Sequence, residues 1–319
     1  MRISIIGCGR WGSFHAWYSA KIGHEVKLYG RADSPHMQQL VSTGGNEYLK
    51  LPENVHLTKD LEDAIIYSNV IIISVGTQNF RGLLEEIRDL NIDIRQKKFV
   101  LCMKGLEKPT GKRLSTIFAE VLESQNLAVW VGPGHVQDFV QSIPNCMVMA
   151  AMKENLSEEM VEIFKSPLIR FYYGTDLVGI EIGAAAKNVI GIAAGMLDGL
   201  NCTSLKGALM ARGTAELSRL VESLGGDKMT IYGLSHLGDY EATLFSPYSN
   251  NRKFGEDFVR NKNFDKLAEG VDTVAALLEL SKITKVELPI CSAVYNILYE
   301  NSDPEDQLMD LFMRSTKIE

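Results

Sequence analysis

The sequence predicts an α/β protein with an N-terminal, Rossmann-like, doubly wound parallel sheet and a C-terminal domain that is entirely helical. Two observations support this fold class. Short β-rich runs alternate with helical stretches up to about residue 178, whereas long helical periodicity with almost no strand signal follows. The chain has 319 residues, and single hydrophobic cores stop growing at roughly 250–300 residues. The predicted domains are therefore 1–178 and 179–319.

Six runs in the first domain are predicted to be strands. Several of these runs are apolar throughout, as expected for strands that are buried on both faces of a parallel sheet. The predicted strands are Ile3–Ile6, Glu25–Tyr29, Asn69–Val75, Phe99–Met103, Ala128–Val131 and Cys146–Ala151.

Three segments of the second domain show the clearest helical periodicity, namely Glu181–Leu197, Lys206–Leu224 and Val271–Ile283. The segment Gly233–Gly255 is rich in Gly, Ser, Asn and Pro, so we expect a long loop there. Loops of this length in compact domains are often functional.

The composition excludes several classes of protein. A content of 45% hydrophobic and 23% charged residues is typical of a globular chain. The net charge of -7 argues against a nucleic-acid partner, which would require a basic face. The apolar stretch Ile180–Leu200 contains Glu181, Lys187 and Asp198, and charge at this density is costly in a bilayer. We therefore expect a buried helix there and no membrane span.

The cysteines are scattered along the chain at Cys8, Cys102, Cys146, Cys202 and Cys291, without a Cys-x-x-Cys pair. We expect free thiols in a reducing compartment and no metal site. The first residues enter an apolar, strand-like run without a basic leader or a cleavage site. We therefore expect a cytoplasmic protein.

A Gly-x-Gly-x-x-Gly run stands at Gly7, Gly9 and Gly12, after the first predicted strand and before a helix. In this context the glycines permit a tight turn, close approach of a pyrophosphate and contact between helix and sheet. The helix N-terminus presents free N–H groups to the phosphates. The run predicts that the first domain binds a dinucleotide; a glycine-rich turn without a ligand is the alternative.

The end of the second predicted strand bears on the choice of dinucleotide. It ends Leu28-Tyr29-Gly30-Arg31, without an Asp or Glu to accept hydrogen bonds from an adenosine ribose. Pairing of Arg31 with a 2′-phosphate would favour NADPH, or the use of both NADPH and NADH. The alternative is that Arg31 is a solvated surface charge.

The predicted helix from Glu181 to Gly195 consists almost wholly of small and apolar residues, with Lys187 in its middle. Partial desolvation would lower the pKa of Lys187 and make proton transfer near neutral pH feasible. Alternatively, the side chain of Lys187 extends to the surface. The helix alone leaves both interpretations open.

This helix is one of a series of ordered motifs. It reads Glu-Ile-Gly-x-x-x-Lys-Asn-Val-Ile and is followed by Asp198-Gly199-Leu200. The other motifs are Gly-x-Gly-x-Trp-Gly at 7–12, Lys104-Gly105-Leu106-Glu107 after the fourth predicted strand, Gly132-Pro133, Arg212-Gly213, Leu237-Gly238-Asp239, Asn251-Arg252, Glu269-Gly270 and Val286-Glu287-Leu288-Pro289-Ile290. Together they resemble, nearly from end to end, the NAD(P)-dependent glycerol-3-phosphate dehydrogenase family.

The resemblance implies reversible reduction of dihydroxyacetone phosphate to sn-glycerol 3-phosphate with NAD(P)H, a reaction of carbohydrate and glycerophospholipid metabolism. It implies that Lys187 is the general acid and base and that Asp239 holds it in place. A ketone reduced by hydride becomes an alkoxide, which a cation stabilises and a proton quenches. The implied catalytic residues are Lys187, Lys104, Asn188, Asp239 and Thr243.

The glycine run, the strand end and the resemblance together give the ligand-binding residues. Those predicted to bind the cofactor NAD(P)H are Gly7, Gly9, Arg10, Trp11, Gly12, Arg31, Lys104, Val136, Leu267 and Glu269. Those predicted to bind the substrate are Lys104, Gly132, Lys187, Asp239, Ser249, Asn250 and Asn251.

The chain departs from the family's pattern at Asn250, where the family typically has an arginine that contacts the substrate phosphate. An amide offers neutral donors in place of a charged bidentate fork, so phosphate binding should weaken. Arg252, Lys253 or His135 could compensate, or the substrate could carry a different acidic group. The segments 132–136 and 201–205 also depart from the pattern.

Three hypotheses for function therefore remain. The first is the family's reaction, the second is a paralogous dehydrogenase acting on another small acidic ketone, and the third is a dinucleotide sensor without catalysis. The proton-transfer set argues against the third. We expect a small-molecule substrate, no nucleic acid and no membrane span, and the small-residue helix surfaces are compatible with a homodimer.

Overall fold

Strands form one sheet in which almost all neighbours are parallel. The computed structural model describes residues 1–315; for Glu154 it describes the backbone and not the side chain. Eight strands lie in this range. They are β1 (Arg2–Ile6), β2 (Glu25–Tyr29), β3 (Val55–Thr58), β4 (Val70–Ile73), β5 (Lys98–Leu101), β6 (Leu127–Val131), β7 (Asn145–Ala151) and β8 (Ile169–Gly174).

The strand order is β3-β2-β1-β4-β5-β6-β7-β8, and only the β6–β7 pair among these strands is antiparallel. The order reverses direction between β1 and β4, which is the switch point of a doubly wound sheet. In the central strands Ile5 pairs with Ile72 and both are fully buried, as the apolar runs predict. The predicted fold class is confirmed.

Helices alternate with these strands. They are α1 (Arg10–Lys21), α2 (Pro35–Thr43), α3 (Leu61–Tyr67), α4 (Phe80–Asp89), α5 (Leu114–Leu122), α6 (Val136–Val140) and α7 (Glu154–Phe164), with a 3-10 turn at Thr77–Asn79. The helix α1 follows the glycine-rich run directly, and its residues 12–20 are all buried.

The described residues divide into two units. The first unit contains Met1–Met103 and Leu114–Leu177, and the second contains Lys104–Arg113 and the chain from Val178 onward. The short segment Lys104–Arg113 thus packs with the second unit, although it lies within the predicted first domain. Leu106 in this segment is fully buried in the core of the second unit.

Helices make up the second unit. They are α8 (Leu177–Gly199), α9 (Lys206–Ser223), α10 (Asn250–Val259), α11 (Gly270–Thr284), α12 (Pro289–Tyr299) and α13 (Pro304–Phe312). Short 3-10 helices lie at Thr203–Leu205, Lys228–Tyr232 and Leu237–Asp239, and Glu241–Phe245 is a π-helix. The three helices predicted from periodicity correspond to α8, α9 and α11, with shifts of four residues or fewer at their ends.

The helix α8 is the core helix of this unit. It is long and apolar enough to cross a membrane, but 89% of its most apolar stretch is buried inside the protein, as expected for a core helix. Its glycines allow close packing with α10. A Cβ at Gly195 would lie 1.8 Å from the carbonyl oxygen of Arg252, and a Cβ at Gly255 would lie 2.1 Å from that of Ile192.

The prediction of a long loop at Gly233–Gly255 is wrong. This segment contains the 3-10 helix Leu237–Asp239, the π-helix Glu241–Phe245 and the first turns of α10. The serine and glycine residues that suggest a loop here cap a helix and permit close helix packing instead. The Ser249 hydroxyl accepts a hydrogen bond from the Arg252 amide and caps α10, and Gly255 permits the crossing with α8.

Candidate active site

In the first unit, the glycine-rich run forms a tight turn between β1 and α1. Gly7 has a φ of +109°, and a Cβ there would lie 2.1 Å from the carbonyl oxygen of Ser74. A Cβ at Gly12 would lie 1.8 Å from the carbonyl oxygen of Gly7, so neither position accepts a side chain. A Cβ at Gly9 would meet nothing within 4 Å. The outer side of the turn is therefore open at the N-terminus of α1, as the predicted pyrophosphate contact requires.

Arg31 follows the end of β2 by two residues and has an acidic partner. Its Nη2 donates to Oε1 of Glu86 on α4 at 2.6 Å, and the two side chains are 58% and 46% exposed. A 2′-phosphate bound by Arg31 would therefore compete with a carboxylate that the sequence did not reveal.

Arg10 and Trp11, predicted to border the cofactor, form the first turn of α1. Nη2 of Arg10 donates to Oε1 of Gln137 at 2.7 Å, and the guanidinium lies 4.9 Å from the centre of the Tyr48 ring. Burial lowers the pKa of Arg10 below its usual value. Trp11 packs edge-on against Phe14. Both side chains are held in place by these neighbours.

The segment that follows β6 contains Gly132, His135 and Val136. Gly132 has a φ of +143°, and a Cβ there would lie 2.9 Å from Cα of Met147, so the close packing on β7 requires glycine. Half-buried His135 precedes α6. The side chain of Val136 is fully buried in the core of the first unit. Its backbone is buried as well, because the residue as a whole has no exposed surface.

The second unit brings two predicted lysines onto one carboxylate. Nζ of Lys187, on α8, lies 2.7 Å from Oδ2 of Asp239, and Nζ of Lys104 donates to the same oxygen at 2.9 Å. Nζ of Lys187 also donates to Oγ1 of Thr243 at 2.8 Å. Lys187 is 6% exposed and Asp239 is 1% exposed. The alternative of a surface lysine is therefore wrong for Lys187.

Burial and charge set the protonation of this cluster. Burial, together with the charge of Lys104, lowers the pKa of Lys187 to about 8, although Asp239 opposes this shift. Burial raises the pKa of Glu269 to about 7, against the attraction of both lysines. A lysine with a pKa near 8 can donate a proton as the ammonium and accept one as the neutral amine near neutral pH, which general acid–base catalysis requires.

Two asparagines predicted for the site bind each other. Nδ2 of Asn188 donates to the carbonyl oxygen of Lys104 at 2.9 Å, and Nδ2 of Asn251 donates to Oδ1 of Asn188 at 3.0 Å. Oδ1 of Asn251 accepts from the amide of Gly270 at 2.9 Å. This chain of amides joins the Lys104 backbone, α8, α10 and the start of α11. Its direct effect is to position the segments that carry the lysines and Glu269.

Thr243 reaches Lys187 from a π-helix. Its methyl group lies against α8, where a Cβ at Gly191 would be 2.8 Å from Cγ2 of Thr243. π-Helical turns are rare and frequently occur at functional sites. The glycine in α8 and the irregular turn together bring the hydroxyl to the lysine.

Two cations that follow Asn250 at the start of α10 already have carboxylate partners. Nδ2 of Asn250, at the start of α10, donates to the carbonyl oxygen of Leu267 at 3.2 Å. Nη1 of Arg252 binds Oδ2 of Asp198 at 2.7 Å, and Nζ of Lys253 binds Oδ1 of Asp257 at 2.8 Å. Of the three residues proposed from the sequence to compensate, Arg252 and Lys253 are thus paired with carboxylates of their own unit, and His135 lies in the other unit.

The two remaining predicted ligand residues of this unit are Ser249 and Leu267. Ser249 uses its hydroxyl as the α10 cap, which leaves its second lone pair and proton for a ligand. Leu267 is 65% exposed, so its side chain is open to a ligand. The hydrogen bond from Asn250 to the Leu267 carbonyl places Asn250 close in space to the segment that contains Leu267 and Glu269.

Sequence reasoning missed a buried pair that supports Asp239. Nδ1 of His236 lies 2.9 Å from the carbonyl oxygen of Gly183, and Nε2 lies 2.6 Å from the Tyr240 hydroxyl. Burial lowers the pKa of His236 to about 4, so the ring is neutral at neutral pH. The His-x-x-Asp-Tyr spacing was the available signal. This pair ties the turn that carries Asp239 to α8.

Comparison with known proteins gives the same family over both units. A family model described as the NAD-dependent glycerol-3-phosphate dehydrogenase N-terminus matches residues 2–157, and the corresponding C-terminus model matches residues 176–309. The chain is 34% identical over 332 residues to the glycerol-3-phosphate dehydrogenase (NAD(P)+) of Thermoanaerobacter sp. strain X514, covering 100% of this chain and 99% of the relative. It is 35% identical over 334 residues to that of Prosthecochloris aestuarii, with 100% of both chains covered.

Solved structures give the same result for the fold. The crystal structure of glycerol-3-phosphate dehydrogenase from Coxiella burnetii superimposes with a TM-score of 0.90 at 27% identity, covering 98% of this chain and 99% of that chain. A likeness at this level extends over both units of the chain.

Proposed function

Because the chain belongs to the NAD-dependent glycerol-3-phosphate dehydrogenase family, we propose that it reduces dihydroxyacetone phosphate to sn-glycerol 3-phosphate with NAD(P)H. The predicted family and enzyme class, an NAD(P)-dependent dehydrogenase, are confirmed by the matches to both family models. The specific substrate is the part that we propose.

The observation that carries the proposal is the buried ammonium of Lys187, held by Asp239 and Thr243. When bound, the dinucleotide supplies a hydride to the carbonyl carbon. Lys187 then donates its proton to the carbonyl oxygen, which becomes the new hydroxyl group, and the amine recovers a proton from solvent. In the reverse direction the neutral amine accepts the hydroxyl proton.

The residues present fit the dinucleotide. The open side of the turn at Gly9, and the two glycine positions that exclude a Cβ, leave backbone N–H groups at the N-terminus of α1 for a pyrophosphate. We propose that Arg31 selects NADPH when it is released from Glu86, with NADH also accepted.

Asp239 and Lys104 are the other charged residues of the proposed catalytic site. One oxygen of Asp239 contacts both ammonium groups, so the carboxylate holds two cations close together despite their repulsion. Lys104 then provides positive charge that stabilises a developing alkoxide or an anionic substrate group. A sensor that only bound a dinucleotide would not require this cluster.

Asn250 supports a second candidate, a dehydrogenase for a different small acidic ketone. Its amide occupies the position of the family's arginine, and Arg252 and Lys253 are paired with carboxylates. If the first candidate is correct, we propose that the product feeds glycerophospholipid synthesis in the cytoplasm.

A turnover screen distinguishes these candidates. Small phosphorylated and unphosphorylated ketones are offered with NADH and with NADPH, and loss of the reduced nicotinamide absorbance is followed. We expect the highest kcat/KM for dihydroxyacetone phosphate. Clear activity on another ketone with none on dihydroxyacetone phosphate would establish the second candidate, and no turnover of any ketone would contradict both.

A further inference from the structure

A half-open cavity of about 800 Å³ lies in the second unit among α8, α9, α12 and α13. Its volume is within the range of about 300–1,000 Å³ that is usual for small-molecule sites. Among the described residues that line it, none belongs to the cluster of Lys104, Lys187 and Asp239. The cavity is therefore separate from the candidate active site.

Most of the cavity wall is apolar because each helix contributes one face. The helix α12 lines it with Ile290, Ala293, Val294 and Ile297, at spacings of three and four residues. The opposite parts of the wall come from the corresponding faces of the other helices, namely Ala193, Met196 and Leu197 of α8, Leu209 of α9, and Leu308 and Leu311 of α13.

One end of the cavity is charged. Glu216 of α9 accepts hydrogen bonds from the amides of Ile290 at 2.9 Å and Cys291 at 3.1 Å, so α12 begins beside it. Arg212 and Arg219 lie one helical turn before and after Glu216 on the same face of α9, and both line the cavity. Their side chains thus flank the point where α12 begins.

Further charges come from the segment before α12 and from the end of the described chain. Lys285 and Glu287 line the cavity close to the start of α12, and Arg314 pairs with Glu287 at 2.7 Å. Together with α9, the described wall carries four cationic and two acidic side chains, and Glu216 is already engaged by α12. This is a local positive charge in a chain of net charge -7.

We propose that this cavity binds a single-chain amphiphile with an anionic head group. The alkyl chain lies between the apolar faces of α8, α9, α12 and α13, and the head group lies against Arg212 and Arg219. An apolar pocket with few convergent charges favours such a ligand over a fully polar one, because the alkyl chain gains from leaving water and the head group keeps charged partners. A cationic head group would be repelled by the arginines of the cavity wall.

Isothermal titration without cofactor or substrate tests this binding, so its outcome is independent of the proposed dehydrogenase activity. The probes are dodecanoate and dodecyl phosphate, each below its micellar concentration, with dodecyltrimethylammonium and dodecanol as matched probes. We expect saturable binding with one site for at least one anion. Affinity should rise about fourfold for each added CH2 group within a series of shorter chains.

Three variants locate the ligand. Arg212→Gln combined with Arg219→Gln, both exposed residues, should weaken anion binding about tenfold or more. Ala208→Trp places an indole on the exposed cavity wall of α9 and should abolish binding while dehydrogenase turnover is kept. The control Lys282→Gln removes an exposed cation from α11 in the same unit, outside the cavity, and should leave affinity unchanged.

The proposal is overturned if neither anion binds, if dodecyltrimethylammonium binds as tightly as the anions, or if Ala208→Trp leaves affinity unchanged. Preference between the two anions identifies the head group as carboxylate or phosphate. Sedimentation is measured for every variant, because dissociation of a dimer by Ala208→Trp without anion binding to the wild type would show that the cavity is an interface between two copies.

Discussion

Lys187 has little access to solvent, and its neighbours explain its properties. Its sequence context predicted close packing but left open whether the side chain is desolvated or extends to the surface. The answer depends on Asp239 and Thr243, more than fifty residues further along the chain. The choice could not be made from the helix alone, because partners so distant in sequence are joined only by the fold.

Replacement of Lys187 by alanine should abolish most turnover while leaving cofactor affinity nearly intact. Loss of general-acid catalysis costs about 10²–10⁴-fold in rate. In the wild type, kcat/KM for ketone reduction should fall as pH rises through about 8, because the ammonium form of Lys187 is required. Lys282→Ala, at an exposed lysine, is the control. Near-native turnover of Lys187→Ala would show that the residue is structural.

Asp239→Asn should change both stability and pH dependence. The variant leaves two largely buried ammonium groups without their shared counter-charge, which costs about 3–5 kcal/mol of unfolding free energy at neutral pH. The folded pKa of Lys187 lies below its unfolded value, so this cost should shrink as pH rises and the amine becomes neutral. Because Asp239 raises the pKa of Lys187, the pH at which reduction declines should move downward.

These two effects are measured by urea unfolding at several pH values and by the pH profile of kcat/KM. Asp257→Asn, which removes the carboxylate partner of the exposed Lys253, is a matched control that should leave the pH profile unchanged. An unaltered pH profile in Asp239→Asn would contradict the assigned coupling.

Asn250→Arg tests the substrate directly. If the substrate is dihydroxyacetone phosphate, the added guanidinium should lower its KM by roughly fivefold or more, since a charged hydrogen bond exceeds a neutral one by about 1 kcal/mol. If the substrate is another ketone, the larger cation should impair its turnover. The control Asn155→Arg, at an exposed position of α7 in the first unit, changes the net charge equally. No change of KM in either direction would show that position 250 does not contact the substrate.

Among the helices and strands, those correctly predicted from the sequence are the ones whose local pattern of apolar residues is sufficient to identify them. The central strands are apolar runs, and the three long helices show clear periodicity. The edge strands β3 and β8 were missed because their residues are only partly buried and polar residues interrupt them. The first turns of α10 were missed because Ser249 and Gly255 resemble loop residues until the cap and the contact with α8 are known.

The crossing of α8 and α10 gives an element-level prediction. Gly195→Ala should destabilise the second unit by about 1–3 kcal/mol or more, because the added methyl group would overlap the carbonyl oxygen of Arg252. The control Gly207→Ala, near the start of α9, adds a methyl group that meets nothing within 4 Å and should be neutral or stabilising. Equal urea midpoints for the two variants would contradict the close crossing.

At the scale of the whole molecule, the net charge is negative although local groups of cations are present. The chain carries -7 overall, and yet the family's substrate and cofactor are both anions. Anion binding must therefore depend on local groups of cations, such as the lysines at Asp239. The cations could be read from the sequence, but their carboxylate partners could not. That pairing decides which cations are available to a ligand. Arg252 and Arg31 are examples of cations with such partners.

Glu86→Gln tests whether this pairing controls the choice of cofactor. The variant removes the carboxylate that binds Arg31, so Arg31 can pair with a 2′-phosphate and NADPH affinity should rise about fivefold. NADH, which has no such phosphate, should bind as before. Glu85→Gln, an exposed neighbour on α4, changes net charge equally and is the control. If both variants shift NADPH affinity alike, or if Arg31→Ala leaves the NADPH to NADH ratio unchanged, Arg31 does not select the cofactor.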